Sequence, residues 1–418
     1  MVIQRNPFFY GGVIKERHLF INRQLEVIEI YEAILASASV SVIGERRVGK
    51  SSLLRYLADP EVAQQYGLDS RQYLFAYFEF LGFPSITPSS LWRRLLTEIL
   101  RQLRDPRLAK KVQALLTEET YDLEELQRLL KAFQKAGLNL VILFDEFDTA
   151  AANPNFDQAF FGGLRNLSSY RLSYIVASHR TLSDLRYAHP DSLVSPFFNI
   201  FRRITLRGFA PPEIEELLTK ALDGTGIKFT QPDRILLDQL ASSHPFFLQM
   251  AAYYLFYAYH YHYRRDQRPQ NPWIERRFRD NAQEHFRYYW DSSEAGEKLI
   301  LASLSLLERE EVERYQLYPK SNDPMYRRLE DRVLVVEDQE GKPRVFSSIF
   351  EEWIAETVSF VPIEQVEDLA WFTSAKILVD NYPGTFETIR DSGFGVRGSG
   401  FGKRFLAFVF TSYEYVLL

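Results

Sequence analysis

Residues 39–51 read Ser39-Val40-Ser41-Val42-Ile43-Gly44-Glu45-Arg46-Arg47-Val48-Gly49-Lys50-Ser51, a β-branched run that breaks into a glycine turn. Ser52-Leu53-Leu54-Arg55-Tyr56-Leu57 then continues as a helix start. Residues 44–51 satisfy G-x-x-x-x-G-K-[ST] in the strand-to-helix context that gives the pattern its meaning. The glycines let the backbone curl so that N–H groups face phosphate oxygens, and the helix N-terminus adds positive potential. Gly44, Glu45, Arg46, Arg47, Val48, Gly49, Lys50, Ser51 and Ser52 are therefore the expected cradle of a nucleotide, taken to be ATP. Lys50 is placed to reach the β- and γ-phosphates, and the Ser51 hydroxyl to hold Mg2+.

Outward from the loop, strand and helix alternate. An aromatic run at 73–80 leads through Phe83-Pro84-Ser85-Ile86-Thr87-Pro88 to helical spacing over 91–103. Residues 123–136 repeat apolar positions at helical spacing, and Gly137 follows as a C-cap. The most apolar strand, 138–144, runs into Asp145, Glu146 and Asp148. Shorter strands are expected at 172–177 and 203–206. This alternation predicts an α/β domain with a parallel sheet over residues 35–208. Ligands of such sheets bind at the carboxyl ends of the strands. Asp145 is therefore expected to orient the magnesium shell, and Glu146 to position and polarise an attacking water.

From residue 211 the pattern becomes mainly helical, over 212–222, 233–240, 246–261 and 272–289, and predicts a helical lid at 209–290. Helices at 297–307 and 323–331, followed by strands at 333–337 and 344–347 around Asp338-Gln339-Glu340-Gly341-Lys342-Pro343, predict a winged-helix domain at 291–358. Residues 359–418 form a tail of unassigned role. Its glycines lack the strand-to-helix context of a second phosphate loop.

The totals narrow the function classes. A chain of 418 residues, 46% hydrophobic and 25% charged, suits two or three globular domains. The absence of cysteine excludes disulfides, thiol nucleophiles and thiolate-bound metals. The N-terminus does not read as a secretory signal, so the cytoplasm is expected. A net charge of -5 argues against a surface given wholly to nucleic acid. Arg264, Arg265, Arg268, Arg276, Arg277 and Arg279 form a basic stretch, but interleaved acids make it a solvated face. Residues 242–263 carry no formal charge, yet Gln249, His260, His262 and several tyrosines favour a buried helix over a membrane span. His260 and His262, two apart, point away from each other on a helix and form no metal pair.

Residues 44–54 (GERRVGKSSLL), 140–148 (LVILFDEFD), 177–180 (ASHR) and the opening 6–27 together resemble the STAND branch of the AAA+ ATPases, particularly the prokaryotic AAA-like domain proteins. They resemble less closely the archaeal and origin-recognition ATPases. The resemblance runs from Asn6 to Trp353. It implies a P-loop sheet of the AAA+/ASCE type followed by the lid and winged helix. It also implies an adenine-side segment at 1–34 that includes Arg23. Ser178, His179 and Arg180 stand where such proteins sense the γ-phosphate, Ser178 nearest the strand end and Arg180 best suited to a charge-assisted contact. Ser243-His244-Pro245 resembles the family's G-x-P lid motif, which implies nucleotide contacts from His244 and Pro245. The activity implied is slow, regulatory ATP hydrolysis in a signalling switch that exchanges ATP and ADP and self-associates or meets a protein partner. The alternative is an origin-recognition-like DNA-binding ATPase. Its recognition helix at 323–331 pairs Arg327 and Arg328 with Asp323, Glu330 and Asp331, a poor phosphate-facing surface.

Overall fold

The apolar runs pair into one sheet. The computed structural model describes residues 5–14, 16–188, 196–262, 271–306 and 323–359. Strands β1 (Ser39–Ile43), β2 (Tyr73–Glu79), β3 (Asn139–Asp145), β4 (Leu172–Ser178) and β5 (Phe201–Thr205) lie in the order β2-β3-β4-β1-β5, every pair parallel. Beyond Asn139, β3 and β4 are buried throughout, which is why both read as mainly apolar runs rather than alternating ones. The β5 edge exposes Arg202 and Arg203, charges that discourage pairing with another strand.

The chain packs as two units, one of residues 11–206 and one of the described part of 207–359 together with residues 5–10. In the first, helices α1 (Gln24–Leu35), α2 (Lys50–Leu57), α3 (Pro60–Gln65), α4 (Pro88–Gln102), α5 (Pro106–Leu116), α6 (Leu123–Lys135), α7 (Phe147–Ala151), α8 (Gln158–Leu167) and α9 (Leu182–Ala188) surround the sheet. Two of the starts show side-chain caps clearly: Thr87 accepts the Ser90 N–H before α4, and Asp122 with Glu125 forms a capping box before α6. Helices α1 and α5 occupy stretches where the sequence pattern gave no helix. Leu25, Ile28 and Leu35 of α1 are exposed, so its apolar residues run round the helix, while α5 buries only Leu108 and Val112.

A ring cluster fixes the turn after β3. Phe147 packs on Phe144 at 6.1 Å and on Phe161 at 6.4 Å, and Tyr174 meets Phe197 at 5.3 Å. Each such pair adds about 0.5–1.5 kcal/mol beyond area burial. The acidic end of β3 is thus anchored by the core immediately behind it.

The second unit holds α10 (Pro211–Leu222), α11 (Gln231–Ala241), α12 (Pro245–Tyr257), α13 (Asn271–Ser292), α14 (Ala295–Leu306), α15 (Pro324–Asp331) and α16 (Ser348–Ser359). Strands β6 (Val335–Glu337) and β7 (Pro343–Val345) form an antiparallel hairpin turned at Gly341. Phe8 joins this unit, buried against Phe229 at 5.7 Å. Helix α12 ends at Tyr257 and passes into a π turn, and no helix among the described residues is long and apolar enough to cross a membrane. Residues 307–322, the tail from 360, and Arg264, Arg265 and Arg268 lie outside the described residues.

Candidate functional site

The loop after β1 is shaped by its two glycines. A Cβ at Gly44 would stand 2.7 Å from Val48 Cγ1 and 3.0 Å from the Leu206 carbonyl oxygen, so no larger residue fits. Gly49 has φ of 108°, in the left-handed region that side chains disfavour. Lys50 then opens α2, and its ammonium donates to the Gly44 carbonyl at 2.8 Å and the Glu45 carbonyl at 3.1 Å. Burial pushes the Lys50 pKa down, opposed by the nearby carboxylates of Glu146, Glu45, Asp148 and Asp145.

Because β4 lies between β1 and β3, the residue that follows β4 emerges between the glycine loop and the acidic strand end. That residue is His179. Its Nδ1 is 3.1 Å from Lys50 Nζ, and its Nε2 is 3.0 Å from Glu146 Oε2. An ammonium can only donate, so Nδ1 accepts from Lys50 and Nε2–H donates to Glu146. That bond from His179 holds the Glu146 carboxyl below the usual range against the opposing effect of burial, and the charge of Lys50 adds to it. Glu146 itself has φ of 53°, an uncommon backbone for a residue with a side chain. Asp148 fixes the other flank by accepting the His179 N–H at 2.8 Å and the Arg180 N–H at 3.3 Å.

Asp145 is fully buried. Its Oδ1 accepts the Glu146 N–H at 3.0 Å, and its Oδ2 accepts the Tyr77 hydroxyl at 2.8 Å. Ser178 is buried with its hydroxyl donating to the Arg180 carbonyl at 2.7 Å, while Arg180 is exposed. Ser51 is half-buried in the first turn of α2. The Ser52 hydroxyl accepts the Ile14 N–H at 3.0 Å. Arg23 is buried, donating to Glu26 at 3.1 Å and towards the Val48 carbonyl at 3.4 Å. Arg46 and Arg47 are exposed, and Glu45 accepts the Arg46 N–H at 2.7 Å. His244 and Pro245 belong to the second unit, where buried His244 meets the Tyr289 hydroxyl at 3.2 Å. The structure therefore brings Lys50, Glu146 and His179 together, and adds Tyr77 and Asp148 as partners that the sequence reading gave no role. The placement of His179 could be read only once β4 was known to lie between β1 and β3.

The donors fit the expected groups. Lys50 is a buried cation whose hydrogen-bond partners are two carbonyls and an imidazole, and an anion suits it better. Asp145 accepts one bond on each oxygen and keeps lone pairs for a cation that takes oxygen ligands, as Mg2+ does. Glu146, Asp148 and His179 also present ligand atoms within 4.8 Å of one another, a nitrogen-bearing set less suited to Mg2+.

The fold has solved counterparts. The Walker-type ATPase of Pyrococcus abyssi superposes with a TM-score of 0.53 at 15% identity, over 82% of this chain and 98% of that one. The ORC2 protein of Aeropyrum pernix, solved in ADPNP and ADP complexes, gives 0.51 at 14% identity, over 85% and 98%. No curated protein sequence matches the chain significantly. The profile of the Novel STAND NTPase 2 family matches residues 33–303, a span that takes in the glycine loop, the acidic strand end and His179. With that match covering more than half of its length, the chain belongs to the Novel STAND NTPase 2 family.

Proposed function

We propose that the chain binds ATP·Mg2+ at residues 44–51 and at Asp145 and Glu146, and hydrolyses it slowly as a regulatory switch. The observation that carries this reading is the hydrogen-bonded series Lys50–His179–Glu146. On meeting phosphate, Lys50 exchanges neutral partners for anionic oxygens. His179 Nδ1 then loses its donor while Nε2–H keeps Glu146 aimed, and Glu146 polarises the attacking water. Mg2+, held through Ser51 and Asp145, supplies charge neutralisation of the phosphates when bound. Of Ser178, His179 and Arg180, His179 is the one we assign to relaying the γ-phosphate state, since its ring joins Lys50 to Glu146 while the Ser178 hydroxyl is spent on a carbonyl and Arg180 is exposed.

Residues 209–290 and 291–358 are assigned as the nucleotide-controlled lid and winged helix on the lid motif at His244-Pro245 and the hairpin β6–β7. Arg23 is assigned to the adenine side. A second copy or a protein partner would read the switch. Equilibrium binding and turnover of ATP test the reading through two substitutions. Lys50→Ala is expected to lose both, and Glu146→Gln to keep ATP while turnover falls on the order of 10²-fold or more. A wild-type chain that binds no ATP would sink it.

A further inference from the structure

In the β2–β3 ladder Glu79 stands opposite Asp145 and Tyr77 opposite Leu143. Paired positions of a parallel ladder share a face, so Tyr77, Glu79 and Asp145 all project from the same side of the sheet. Two carboxylates side by side repel, and the neighbouring residues answer each one separately. Arg55, one turn along the helix that Lys50 opens, has Nη2 3.4 Å from Glu79 Oε2 and its guanidinium carbon 4.4 Å from the centre of the Tyr77 ring. The Tyr77 hydroxyl in turn donates to Asp145 Oδ2 at 2.8 Å, while the Glu146 N–H binds Oδ1 at 3.0 Å. A side-chain donor from β2 and a backbone donor from the residue after β3 thus hold both oxygens of a fully buried carboxylate and fix its rotation.

We propose that Tyr77 is a positioning residue that sets the cation affinity of Asp145, with Arg55 steadying its ring from the phosphate-loop helix. The inference rests on the ATP·Mg2+ reading above. It places a determinant of Mg2+ affinity on edge strand β2, outside both the glycine loop and the acidic pair. Partners of metal-binding carboxylates contribute in this way because they fix the orientation in which the free lone pairs face the ion.

Tyr77→Phe keeps the ring beneath Arg55 and removes only the hydroxyl. A fluorescent ATP analogue titrated into the full chain measures nucleotide affinity in EDTA and then across Mg2+ concentrations, and Mn2+ bound in the ternary complex is counted by electron paramagnetic resonance. The expected result is an EDTA affinity within about twofold of wild type and a half-saturating Mg2+ or Mn2+ concentration raised about 10-fold or more. Tyr77→His, which restores a ring donor, should recover part of that loss, whereas a merely structural role would change melting temperature without moving the Mg2+ midpoint. An unchanged midpoint in Tyr77→Phe, or equal losses of nucleotide with and without Mg2+, overturns the inference. A wild-type chain whose affinity does not respond to Mg2+ overturns the function reading itself, and the inference with it.

Discussion

The Nε2–H of His179 donates to Glu146 across 3.0 Å while the opposite nitrogen of the same ring accepts Lys50 at 3.1 Å. A rigid five-membered ring transmits what happens at one nitrogen to the group on the other. His179→Ala should leave ATP binding intact, because Lys50 loses only a competing acceptor. Turnover should fall about 10- to 100-fold, the scale of one hydrogen bond to a charged group. Single-turnover hydrolysis beside equilibrium binding checks this. Turnover that survives the substitution removes His179 from the site.

The same bond bears on stability in acid. The Glu146 carboxyl is held low chiefly by His179, so between its native and unfolded pKa the unfolded chain binds more protons. Its contribution is present above the unfolded value and is lost as pH falls through the native one. Urea unfolding between pH 7 and pH 3 should therefore show a shallower acid loss in Glu146→Gln than in wild type, with His179→Ala intermediate. Parallel curves for all three would contradict the assignment.

Much of the sheet was legible because buried parallel strands are mainly apolar on both faces, and residues 138–144 and 172–177 are short, mainly apolar runs of strand length. The glycine loop was legible because Gly44 and Gly49 answer steric demands that only glycine meets. Strand order was not, since no residue pattern says that β4 separates β1 from β3. His179 and Tyr77 take their places from that order, so a linear reading could name His179 as one of three and could not reach Tyr77. Phe8 likewise reads as part of a leading segment, although its ring is buried against Phe229 more than two hundred residues away. Long-range pairings of this kind leave no local periodicity to read.

In the second unit, burial raises the Glu351 pKa to about 7, with Glu352 adding to the rise and Arg344 opposing it. Arg344 is already committed to Asp238, its Nη2 lying 2.9 Å and 3.0 Å from the two carboxylate oxygens. The native chain therefore binds more protons than the unfolded one between the ordinary value of 4.5 and about 7. Stability from this group is fully present below the unfolded value and is lost as pH rises through the native one. Glu351→Gln should stabilise the chain at pH 8, by at most about 3 kcal/mol, and give no gain at pH 4. Chemical denaturation at the two pH values decides it, and an equal effect at both would refute the shift.

Duplex DNA is the ligand of the alternative reading. Arg328 of α15 has Nη2 2.6 Å from Glu294 and Nε 3.3 Å from Glu297, and Arg332 has Nη1 2.8 Å from Glu297. Arg207 likewise meets Asp331 at 2.7 Å. Cations already neutralised by carboxylates release few counterions from a phosphate backbone, and a net charge of -5 supplies no compensating field. Fluorescence anisotropy at physiological salt should therefore give duplex binding no tighter than the non-specific range of about 10⁻⁴–10⁻⁶ M. Glu294→Gln, at an exposed position, frees Arg328 in part and should steepen the salt slope by up to about 1. If wild type instead forms a sub-micromolar complex with a steep salt slope, the ion pairs of α15 must open on DNA. The origin-recognition-like reading would then take first place.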